Sequence, residues 1–105
     1  MTSVINAEDI CIIEKVAEYL ILAANLRADA PREDYVRANR LSFELAMILP
    51  AGIYRFVVRS LREGTPDCNI MQAAVMVRCW LHGGADDGLS GNDDLAFHSP
   101  GIGKK

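Results

Sequence analysis

Two stretches, residues 10–26 and 70–81, are apolar around almost the whole circumference of a helix, and this constrains the fold more than any other feature. In the first only Glu14, Lys15, Glu18 and Asn25 are polar; in the second only Gln72 and Arg78. A helix with one apolar stripe lies on a core, whereas one apolar on all sides is surrounded. With 105 residues there is room for one domain. Its interior encloses one central helix but hardly two. The economical expectation is apolar surface hidden in a homodimer, or a groove that receives a partner helix. Tyr19, Phe43, Met47, Met71, Met76 and Trp80 are the expected contact set, because aromatic residues and methionine favour interfaces.

Start and stop signals divide the chain into about four helices. Asn6 is a good N-cap, followed by Glu8 and Asp9 in the favourable first turn, and the first helix is expected to reach about residue 27. Pro31 with Glu33 and Asp34 opens a second helix over residues 31–49, and Pro50 ends it. That helix has a polar face of Glu33, Arg37, Arg40 and Glu44, spaced for the ion pairs Glu33–Arg37 and Arg40–Glu44. Ala38, Leu45, Ala46 and Leu49 form one apolar stripe, and Val36, Phe43 and Met47 form a second on the other flank.

The third helix covers residues 51–63, with Ile53, Phe56, Val57 and Leu61 inward and Arg55, Arg59 and Arg62 outward. Gly64 is its natural cap. Thr65, Pro66 and Asp67 signal the start of the fourth helix, which runs to about His82 before Gly83 and Gly84. Residues 83–105 hold six of the eight glycines and four aspartates, with no period of helix or strand. The expected fold class is all-α: a compact bundle of about four helices over residues 1–83, with a flexible Gly/Asp-rich C-terminal tail over 84–105.

The first apolar stretch is interrupted by charges and is shorter than a bilayer requires, so a buried core helix is expected. Three cysteines, Cys11, Cys68 and Cys79, make an odd count in no framework spacing, and no basic region precedes the first apolar run. A cytoplasmic location is the expectation. A net charge of −3 lacks the basic balance of a dedicated nucleic-acid binder.

Chemistry-bearing motifs are few. Cys79 and His82 lie one helical turn apart and could be joined by Asp86, Asp87 or His98, but structural zinc sites use two paired motifs and this chain offers one. Cys68 at a helix start lacks a general base, because His82 belongs to the far end of the same helix. No frame through Asp86, Asp87, Asn92, Asp93 and Asp94 fits a calcium loop, and no phosphate loop or catalytic triad pattern is present. No enzymatic activity, metal or cofactor is therefore expected.

A non-enzymatic protein-binding domain is the expected function: a small adaptor, chaperone or stoichiometric inhibitor, of a size and composition that suit a phage-encoded antagonist. It would act through an apolar helical surface, with Arg55, Arg59 and Arg62 steering a charged partner. The alternative is a DNA-associated transcriptional or nucleoid regulator that uses the same arginines on phosphates. A helix-turn-helix is disfavoured, since Pro50 stands where the turn needs glycine.

Overall fold

The computed structural model describes residues 6–84 together with Gly88, Leu89 and Leu95. Among them are four helices and no strand: α1 (Ala7–Ala24), α2 (Arg32–Ile48), α3 (Ala51–Glu63) and α4 (Ile70–Leu81). The expected flexible tail falls almost wholly outside the described residues.

Local chemistry sets most of the helix ends. Asn6 and Asp9 form a capping box: the Asn6 side chain accepts from the Asp9 backbone N–H at 2.9 Å, and the Asp9 carboxylate accepts from the Asn6 N–H. α1 stops three residues short of the expected end. Asn25 turns its side-chain amide back onto the Ile21 carbonyl at 2.6 Å, and the Arg27 carbonyl accepts from the Tyr35 hydroxyl, which ties the following loop to α2. α2 and α3 meet the expected limits closely, with only Leu49 and Pro50 between them. Gly64, at a φ of +61°, ends α3 in the left-handed conformation that glycine adopts without strain.

The start of α4 corrects the sequence reading. Thr65 does accept from the Cys68 N–H, but Thr65 and Cys68 also exchange both backbone hydrogen bonds, which closes a turn. The helix begins later, at Ile70, with Asn69 as its cap accepting from the Gln72 N–H at 3.0 Å.

α1 packs chiefly against α2, and α3 chiefly against α4. Val16, Tyr19, Leu20, Leu41, Leu45, Leu49, Val57, Ala73 and Val77 make one continuous core. Ser60 is buried beside it, and its hydroxyl donates to the Val57 carbonyl, so the polar group is satisfied. Ser42 and Tyr54 link α2 to α3 through their hydroxyls at 2.8 Å.

The two nearly all-apolar helices meet different fates. No residue of α4 is fully exposed, though only Ala73 and Val77 are buried and the others are half-buried. α1 is not surrounded: Val16, Tyr19 and Leu20 face the core, while Ile10, Ile13 and Ile21 are exposed. So small an interior half-covers one apolar helix and leaves the other partly in water.

Candidate protein-binding surfaces

The outer side of α2 carries the largest exposed apolar side chains. Leu41 and Leu45 point inward, so Val36, Phe43 and Met47 lie on the opposite face. Phe43 is 66% exposed and Met47 is 81% exposed. Arg40 stands among them at helical spacing, with its guanidinium 3.6 Å from the Glu44 carboxylate. A phenyl ring, a thioether and a valine thus form one exposed apolar patch.

The polar face of α2 is used between helices more than along one. Arg37 reaches across to Glu18 of α1 in a two-pronged pair at 2.8 and 2.6 Å, in place of the expected partner Glu33. Glu44 receives Lys15 of α1 at 3.1 Å as well as the expected Arg40. The Arg37 hydrogen bonds hold the Glu18 carboxyl below its ordinary value of 4.5, and the Lys15 hydrogen bond does the same for Glu44. A carboxyl with a lowered folded pKa contributes stability above its ordinary value, and that contribution disappears as pH falls through the folded value. The thermal midpoint is therefore expected to drop as pH falls below about 4.5. Both carboxyls are accessible to solvent, so the effect is modest and weakened by salt. Thermal scans from pH 7 to pH 3 check this: Glu18→Gln with Glu44→Gln is expected to flatten the acid limb.

The expected contact residues do not gather on one face. Tyr19 is a correction: it is only 7% exposed and belongs to the core that α1 shares with its neighbours, so it is withdrawn as a surface contact. Trp80 is half-buried against the same core. Met71 lies between α1 and α4, while Met76 lines a shallow depression beside Phe56, Val75 and Cys79. Only Phe43 and Met47 share an exposed face. On α3, Arg55, Arg59 and Arg62 are all exposed on the side away from Val57, and Arg59 pairs with Glu63 at 3.2 Å.

Sequence reasoning allowed for a groove without placing it; an apolar groove lies between α1 and α4. The helices run antiparallel there, with Ile13 beside Leu81 at one end and Ile21 beside Ile70 at the other. Ala17 and Ala74 face each other midway, and their small side chains leave a trough. It comprises adjoining cavities of about 310 Å³ and about 160 Å³ that share Ala17, Leu20 and Ala74. The spacing of Ile10, Ile13, Ala17 and Ile21 along one side of α1 was the available signal.

The catalytic and metal candidates gain no support. No group of three potential ligands that could hold an ion is present among the described residues, and Asp86, Asp87 and His98 lie outside them. Cys68 is buried, Cys79 is half-buried and Cys11 is exposed. No described helix is long and apolar enough to cross a membrane. No family model, curated protein or solved structure matches the chain.

Proposed function

We propose that this chain is a non-enzymatic protein-binding domain whose contact surface is the outer face of α2. The observation that carries the reading is the exposure of Phe43 and Met47 together, on the face directly away from the core. A flexible thioether beside an aromatic ring adapts to an apolar partner surface, and Arg40 adds a charge that selects among partners. A second copy of the chain is the simplest partner, since a two-fold axis would set one α2 face on its equal. Light scattering at micromolar concentration tests this. The expected result is an associated species, and a clean monomer that binds little apolar dye sinks the two-fold reading.

The arginine face of α3 favours a second reading, a DNA-associated regulator. Arg55 and Arg62 are exposed and make no ion pair among the described residues. On this reading, binding to generic duplex DNA weakens steeply with salt and is lost in the double variant Arg55→Ala with Arg62→Ala. Absence of binding at low salt removes it.

A further inference from the structure

One wall of the groove between α1 and α4 comes from beyond the four helices. Beyond α4 the described residues include Leu95, which is half-buried and lines the smaller cavity with Ala17, Leu20, Ile21, Met71 and Ala74. Reaching that end of the groove is easy. The eleven residue steps from Gly84 to Leu95 can span up to about 36 Å, twice the roughly 18 Å length of α4.

We propose that the segment beginning at Leu95 is the resident ligand of the α1/α4 groove, covering in cis the apolar surplus that α1 would otherwise present to water. Three observations support this occupant over a second copy or a foreign helix. Leu95 already walls the cavity at one end. The next residues in the sequence, Ala96 and Phe97, are apolar, in a segment otherwise dominated by glycine, serine and aspartate. The step from Leu95 to Phe97 in an extended chain is about 7 Å with both side chains on one side. The step along α1 from Ala17 to Ile13, from the shared trough into the larger cavity, is about 6 Å. An aromatic ring two residues after Leu95 thus matches the spacing of the second cavity.

The proposal concerns a surface separate from the α2 face and stands whether or not that face binds a partner.

Alanine-methyl NMR on the full-length chain tests it. Ala17 and Ala74 line both cavities, whereas Ala38 is buried in α2 and serves as the internal reference. Leu95→Asp is expected to shift the Ala17 and Ala74 methyl signals, leave Ala38 in place, and raise apolar-dye fluorescence several-fold. Ala17 and Ala74 signals that do not move overturn the proposal. In the unsubstituted chain a nuclear Overhauser contact between the Leu95 methyls and the Ala74 methyl is expected, unchanged on dilution. Its absence, or its disappearance on dilution, overturns the proposal however the variant folds, and the latter outcome assigns the groove to a second copy.

Discussion

Replacing Phe43 and Met47 together by aspartate is expected to abolish association through α2 while leaving the fold intact. Each side chain is mostly in water in the single chain, so its removal costs the fold little. A surface change of this kind stays within about 0.5 kcal/mol, or roughly 2–4 °C in thermal midpoint. At a contact the same groups are anchors. Truncating a central aromatic or methionine there costs about 2 kcal/mol or more, and a buried unpaired carboxylate adds to that. Two such losses weaken binding by about a thousand-fold. Light scattering and a parallel thermal scan read the two effects separately. Loss of association with an unchanged midpoint supports the α2 surface. Unchanged association refutes it, and a collapsed midpoint would show that these side chains pack more tightly than their exposure states.

Leu45→Ala is expected to produce the largest loss of stability among single truncations in the chain. Among the described residues Leu45 is one of three large side chains with no accessible surface, with Leu41 and Val57, and it belongs to the shared core. Removing its branched end forfeits the transfer of those carbons from water and leaves a cavity, together about 3–4 kcal/mol. In a domain of this size the thermal midpoint falls by roughly 15–25 °C. Ile21→Ala removes similar volume from an exposed site and is expected to cost less than about 1 kcal/mol. Chemical denaturation of both variants gives the comparison, and equal losses would refute the burial assigned to Leu45.

Helix identity was legible in the sequence wherever a residue's own chemistry decides the backbone. Pro50 and Gly64 act through φ and the missing amide or side chain, and both fall where the structure has them. Thr65 misled because its hydroxyl can cap a helix or close a turn equally well. The choice depends on the Cys68 backbone and on Asn69, a competing cap four residues later. The exposed stripe of Phe43 and Met47 was legible as a second apolar line on a helix that already had one. Tyr19 was not placed correctly, because an aromatic side chain suits a core as well as an interface. The place of the groove was beyond the sequence for a different reason. The groove exists because Ala17 and Ala74, far apart in the chain, come face to face, and that depends on how α1 and α4 pack.

The joint between α2 and α3 has a mechanical consequence. With Leu49 buried and Pro50 fixed in φ, two residues are all that separate the helices, and neither has slack. The apolar side of α2 and the arginine side of α3 are thereby mounted on a stiff elbow. A partner long enough to touch both meets a preset angle, so its binding spends no ordering entropy on the hinge. On the proposed function, the same geometry would disfavour partners of the wrong curvature, making the elbow a gauge of shape as well as a connector.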